Sequence, residues 1–206
     1  MARQPRRIDP RSTAILVVDL QNDFVHPDGA YARGGARAQA IADLPARLAP
    51  LLAAARRCGI YVVGTQFTLV PGPGGEPMIA DHLRELRPFL RRGDFLPGAW
   101  GHQMLDALGP FDTTVEKVAF SAFYQSRLDH VLKRAGIAHV LVCGIVTNGG
   151  VASTAREAHV RDLHVTVLSD GCAAFGDRIH DAAIADLGNV VAIQSCEAAL
   201  REIEEF

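Results

Sequence analysis

Leu141-Val-Cys-Gly-Ile-Val-Thr-Asn-Gly-Gly-Val-Ala-Ser-Thr-Ala-Arg-Glu-Ala158 is the stretch on which the fold turns. Leu141 to Ile145 carries no polar side chain for water, as a strand covered on both faces requires. After Thr147-Asn-Gly-Gly150 the pattern changes to that of a helix, from about Gly149 to Arg161. A buried strand feeding directly into a helix is half of a strand–crossover–strand unit. Working outward, the same alternation recurs from end to end. Strands are expected at Ala14–Val18, Ile60–Thr65, Thr113–Val118, Val140–Ile145, His164–Leu168 and Val190–Ile193. Helices are expected at Ala36–Arg57 (with Gly59 as its C-terminal stop), around Ile79–Leu86, and at Ser126–Arg134, Ile179–Leu187 and Glu197–Glu204. Repeated units of this kind call for an α/β fold, a doubly wound, mostly parallel six-stranded sheet with helices on both faces. Ligands in such sheets bind beyond the carboxyl ends of the strands.

The 206 residues fit one domain, with no internal repeat and no linker to divide them. Residues 1–12 read as an N-terminal arm, and 13–206 as the domain. The arm's Arg3, Arg6, Arg7 and Arg11 sit beside Pro5 and Pro10 and read as a solvated cluster. Twenty-one Lys and Arg against 23 Asp and Glu leave a net charge of −2, so no broad attraction to nucleic acid or an anionic membrane is expected. No apolar run has the length of a membrane span, and none stands at signal-peptide position. Cys58, Cys143, Cys172 and Cys196 are scattered, without a C-x-x-C pair, which points to free thiols in a reducing cytoplasm. Cys143 reads as a buried thiol, and Cys172 as following the fifth strand. The eight histidines show no metal-ligand spacing and are each expected at the surface or at a helix cap. Neither a metal nor another cofactor is expected. The Pro- and Gly-rich stretch from Val70 to Gly101 reads as long connections suited to covering a substrate or contacting another subunit.

Asp19 ends an apolar strand, so its carboxylate emerges at the ligand-binding edge in a partly dry setting. Burial raises a carboxyl's pKa and a nearby ammonium lowers it. Lys117, at the end of the third strand, can supply that ammonium. An Asp–Lys couple is a sensible proton donor and acceptor near neutral pH, and equally a plain strand-end ion pair. The unpaired N–H groups at the start of the helix after Val146 form a natural cradle for a developing oxyanion. Phe24, Trp100, Phe120, Phe123 and Tyr124 are candidates for an apolar pocket wall, with core packing the better reading for Phe120. Trp100, in Pro97-Gly-Ala-Trp-Gly101, suits a lid or a subunit contact.

Three segments together resemble the isochorismatase-like (cysteine) hydrolase superfamily. Asp19-Leu-Gln-Asn-Asp-Phe24 resembles its D-x-Q-x-x-F opening, Lys117-Val-Ala-Phe-Ser-Ala-Phe123 its K-x-x-x-S-A-F segment, and Thr147-Asn-Gly-Gly-Val151 its T-N-x-C-V signature. The resemblance covers essentially the whole chain. It implies a hydrolase of a small polar or carboxylated metabolite. Asp19 would be the acid and base; Lys117 would hold its charge state and help bind substrate. Val146, Thr147, Asn148 and Gly149 would surround the oxyanion, with a cis peptide at Val146–Thr147, and Gln66 would orient the substrate. It also implies a homo-oligomer, dimer or tetramer. The metal-binding Asp and His of the nicotinamidase branch are not matched by Phe67 to Val70.

Gly150 stands where the amide-cleaving members have their nucleophilic cysteine. Three readings follow. The isochorismatases proper resemble this case: they carry glycine here and hydrolyse an enol ether by protonation and water addition, and this reading is placed first. Alternatively the chain is a C–N hydrolase whose cysteine is lost or engineered to glycine, which the flanking residues resemble. Or it is a catalytically silent binding or scaffold protein.

Overall fold

A computed structural model describes residues 3–206. Six strands form one wholly parallel sheet: β1 (Thr13–Val18), β2 (Tyr61–Phe67), β3 (Thr113–Lys117), β4 (His139–Ile145), β5 (His164–Ala173) and β6 (Ala192–Gln194). Their spatial order is β3-β2-β1-β4-β5-β6. The order reverses between β1 and β4, and right-handed crossovers that run in opposite directions from there must lie on opposite faces. The Leu44–Arg57 helix packs with the C-terminal Cys196–Ile203 helix on one face; helices Ala152–Val160 and Asp177–Leu187 cover the other. Every residue of β1 and β4 is buried, which explains their unbroken apolar runs.

Two boundaries differ by more than three residues from the pattern read in the sequence. The helix expected over Ala36–Arg57 is interrupted: a short turn, Gln39–Ala42, precedes a helix that starts at Leu44. Pro45 stands in that helix's first turn, where a residue without an N–H to donate is best tolerated, while Pro50 is carried inside it. The fifth strand runs five residues further than expected. Pairing of β4 with β5 shifts register between Val142 and Gly144, and after the shift Gly144 and Ile145 pair with Cys172 and Ala173. Cys172 therefore lies within β5, buried. Gly144 is required at the shift: its φ is +113°, and a Cβ there would stand 2.2 Å from the Val18 carbonyl oxygen.

The arm's arginines are exposed, yet Ile8 is buried and its N–H donates to Glu202 Oε1 at 2.5 Å. The arm is thus docked on the C-terminal helix. A second, smaller apolar cluster of Ala30, Tyr31, Leu69, Leu90 and Phe95 anchors the long connection between β2 and β3. The four cysteines are free thiols. Among the described residues no helix is long and apolar enough to cross a membrane.

Candidate active site

Asp19 is the first residue after β1, and its backbone turns there into the left-handed region at φ 56°, a conformation that Asp adopts more readily than most residues. Its N–H still donates to Thr65 O at 3.1 Å, so the ladder to β2 continues one residue beyond the strand. The turn lifts the carboxylate over the sheet edge at the point where strand order reverses. There Oδ1 accepts from Thr65 Oγ1 at 2.9 Å, and Oδ2 lies 2.6 Å from Lys117 Nζ. Lys117 closes β3, two strands away, and reaches across β2 above the Phe67 ring, whose centroid is 5.6 Å from Nζ. Its other two N–H groups donate to Ala119 O at 2.9 Å and Phe120 O at 3.2 Å. All three donors of the ammonium are thus committed, and Lys117 can bind a substrate oxygen only by releasing one of them.

Asp19 is 4% exposed and Lys117 2%. Burial pushes the Asp19 carboxyl above the usual carboxylate range, and the Lys117 charge and the Lys117 and Thr65 hydrogen bonds oppose that rise. The pair meets the geometric requirement for proton transfer at this edge.

Beyond β4 the chain makes one turn of π-helix, Thr147–Val151, before Ala152–Val160 continues as α-helix. The N–H groups of Gly149 and Val151 both donate back to Val146 O, at 2.9 and 3.2 Å. Gly149 is therefore not a free donor for an anion. With the Val146 carbonyl held in this way, the cis peptide lies one bond before the expected place, at Ile145–Val146 rather than Val146–Thr147. Thr147 Oγ1 is 2.8 Å from His180 Nδ1, which ties the turn to the Asp177–Leu187 helix. A Cβ added to Gly150 would stand 3.2 Å from Asp19 Oδ2, 3.1 Å from Val18 Cγ1 and 2.9 Å from Ile145 O. A side chain at residue 150 would thus start beside the Asp19 carboxylate but pressed against Ile145 O, and glycine relieves that crowding.

The other expected site residues divide. Asn148 is exposed and lines a cavity of about 410 Å³ with Arg178 and Ile179. Phe24 is half-buried in an aromatic group, 4.5 Å from Phe95, 4.6 Å from Tyr31 and 6.1 Å from Phe67 between centroids. It therefore backs the Phe67 ring beneath Lys117. Gln66 is turned away, its amide donating to His102 O at 2.9 Å. Trp100 is half-exposed and packs edge-on against His26 at 4.9 Å, along the rim. Phe123 is buried in the main core with the Arg161 guanidinium 4.8 Å over its ring, so it forms no pocket wall. Phe120 reverses its expectation: it is 63% exposed, and its ring lies 3.6 Å from where a Cβ on Gly149 would be. Two neighbouring aromatics exchange roles because their backbone directions, not their chemistry, decide which one faces the core.

Several residues were missed in the sequence. Thr65, with no local mark beyond its place in a strand, supplies the second bond to Asp19. Gln21 clasps β2 to the Trp100–His102 turn, donating to Phe67 O at 3.0 Å and His102 O at 2.9 Å and accepting from Phe67 N at 2.8 Å. Tyr31 is buried, and burial, reinforced by the Asp19 charge, raises its phenol pKa while Arg87 opposes. His102 and His139 are buried, not at the surface as expected. Among the described residues no three His, Cys, Asp or Glu side chains converge as a metal site would need.

Residues 13–198 match the Isochorismatase domain model. The chain belongs to the isochorismatase family. It is a hydrolase of that family, similar over 96% of its length, at 32% identity, to the ureidoacrylate amidohydrolase RutB of Methylobacterium radiotolerans, of which 83% is covered. The RutB protein of Caulobacter vibrioides strain CB 15 is 30% identical over 81% of this chain and 79% of its own. Among solved structures, a cysteine hydrolase from Pseudomonas syringae pv. phaseolicola 1448A superposes with a TM-score of 0.84 at 27% identity, covering 99% of this chain and 97% of that one.

Proposed function

We propose that this protein hydrolyses a C–N bond in a small carboxylated ureido or amide compound, with Asp19 as acid and base and water as nucleophile. The observation that carries this reading is the position of Gly150 beside Asp19: a Cβ there would stand 3.2 Å from Oδ2, and glycine supplies no side chain to attack in place of water. No thiol replaces the missing one. Burial pushes the Cys143 and Cys172 thiols well above their ordinary range, so neither supplies a thiolate. A water beside Asp19 loses a proton to the carboxylate as its oxygen attacks the carbonyl carbon. Burial raises the basicity of that carboxylate, and Lys117 keeps it ionised until the proton arrives. The positive end of the helical run starting at Thr147 faces the developing oxyanion. When the tetrahedral intermediate collapses, Asp19 returns the proton to the leaving nitrogen. One water is consumed, and an acid and an amine are released, with no covalent enzyme intermediate.

The sequence placed enol-ether hydrolysis first; the names of the relatives move C–N hydrolysis ahead of it. Enol-ether hydrolysis stays as the second reading because of one feature, the glycine at 150. The test is turnover on a panel of ureido, carbamoyl and amide compounds beside isochorismate, with wild type, Asp19→Asn and Gly150→Cys. C–N turnover that falls about 10²–10⁴-fold in Asp19→Asn, with no acyl adduct in quenched mass spectra, is the expected result. Turnover of isochorismate alone selects the second reading. Amide turnover seen only in Gly150→Cys means a lost nucleophile, and binding without turnover in every variant means a silent protein.

A further inference from the structure

At the opposite, N-terminal edge of the sheet the surface opens into a cavity of about 270 Å³. It is far from the candidate active site: β1 carries Thr13 at this edge and Asp19 at the other, and six residues of strand span about 20 Å. Arg3 and Arg6 reach it from the arm, His159 from the end of the Ala152–Val160 helix, and His164 from the first position of β5. Asp162 is the single acid among the lining residues. Val165, Val190 and Val191 give it an apolar side.

Among the described residues, Arg3, Arg6 and Asp162 take part in no ion pair, whereas Arg7, the arm's next arginine, reaches Glu205 at 3.8 Å. The arm is held in place over the cavity by the buried Ile8 and its bond to Glu202. His139, which pairs with His164 in the strand register, is buried with Nδ1 unpartnered. Burial first, then His164 and Arg6, hold its pKa down to about 4.

We propose that this cavity binds a small phosphate monoester, with the Arg3 and Arg6 guanidinium groups on the phosphate and the valine side on the organic body. Two unpaired guanidinium forks suit the several oxygens of a phosphate dianion. A monocarboxylate offers one oxygen fewer and a single charge. The volume accepts a ligand up to about the size of a mononucleotide, at the small end of ligand pockets.

Calorimetry and amide NMR with AMP, adenosine and benzoate test the proposal on the full chain. AMP is expected to bind saturably, moving the resonances of residues 162–165 and 190–192, with adenosine and benzoate at least about tenfold weaker. Arg3→Glu and Arg6→Glu are each expected to weaken AMP by about tenfold or more, with unchanged circular dichroism and melting temperature in the absence of ligand. The proposal is overturned if AMP does not saturate by about 10 mM. It is equally overturned if the arginine variants bind as wild type does, or if the shifts appear at Thr147–Gly150.

Discussion

Replacing Lys117 with methionine removes the cation beside Asp19 and leaves the side-chain volume nearly unchanged. At the 2.6 Å separation of Nζ and Oδ2, Coulomb's law with an effective dielectric of about 20 gives an attraction of roughly 6 kcal/mol, an upper bound before desolvation is counted. Breaking a buried pair by removing one partner costs about 3–5 kcal/mol in practice, because the remaining charge stays buried without compensation. Lys117→Met is therefore expected to lose about 3–5 kcal/mol at pH 8, a large part of a typical domain's stability. The loss depends on pH in a definite direction. Without the ammonium, burial is opposed only by hydrogen bonds such as that from Thr65, and the Asp19 pKa rises further above its unfolded value. A group raised in the folded state contributes stability that is present at low pH and lost as pH rises through the folded pKa. Lys117→Met should thus be closer to wild type at pH 5 than at pH 8. Urea denaturation of wild type, Asp19→Asn, Lys117→Met and the double variant completes a cycle, in which the double variant should lose at least about 2 kcal/mol less than the sum of the singles. Single losses that add to within about 0.5 kcal/mol would refute the coupling and, with it, the idea that Lys117 sets the charge state of Asp19.

Three further outcomes follow from the same geometry. Thr65→Val deletes the hydroxyl donor to Asp19 Oδ1, so turnover that needs ionised Asp19 should have its acidic limb moved to higher pH, at a stability cost of about 1–3 kcal/mol; an unmoved pH–rate profile counts against Asp19 as the titrating group. Gly144→Ala should cost more than about 3 kcal/mol in chemical denaturation, since its φ of +113° and a Cβ position 2.2 Å from Val18 O leave no room for a methyl group; a stable variant would contradict the close approach of β4 to β1. His139, held at a pKa of about 4 in the fold against roughly 6.5 unfolded, contributes stability that is complete above pH 6.5 and lost as pH falls toward 4. That amounts to about 3 kcal/mol at most. His139→Gln should flatten the stability curve over this window, and parallel curves for variant and wild type would exclude the effect.

Much of the chain could be read locally. The apolar runs of β1 and β4 are legible because a strand buried on both faces has no polar position to disguise it. Asp19 could be singled out because it is a charged residue where an apolar run stops, and Lys117 because it opens the Lys117–Phe123 segment that resembles the family's. The elements that were misread failed for definable reasons. The helix start at Leu44, with Pro45 in its first turn, interrupts a run that composition alone carries through, and the extra length of β5 depends on a register shift set by its neighbour. Phe120 and Phe123 are alike as residues, and only the course of the backbone between β3 and the next helix points one outward and the other into the core. Thr65 and Tyr31 carry no local mark at all. They matter because of what stands opposite them.

The sequence by itself determined the alternation of strands and helices, the family, and the absence of sulfur at residue 150, since periodicity and side-chain chemistry are properties of the chain read in order. Only the tertiary structure decided that Asp19 and Lys117 meet, that Gly150 faces them, and that Gly149 is already bound to its own turn. Those facts depend on β2 lying between β1 and β3 and on the reversal of strand order beside β4, and contacts between residues a hundred positions apart are set by packing rather than by their neighbours in the chain.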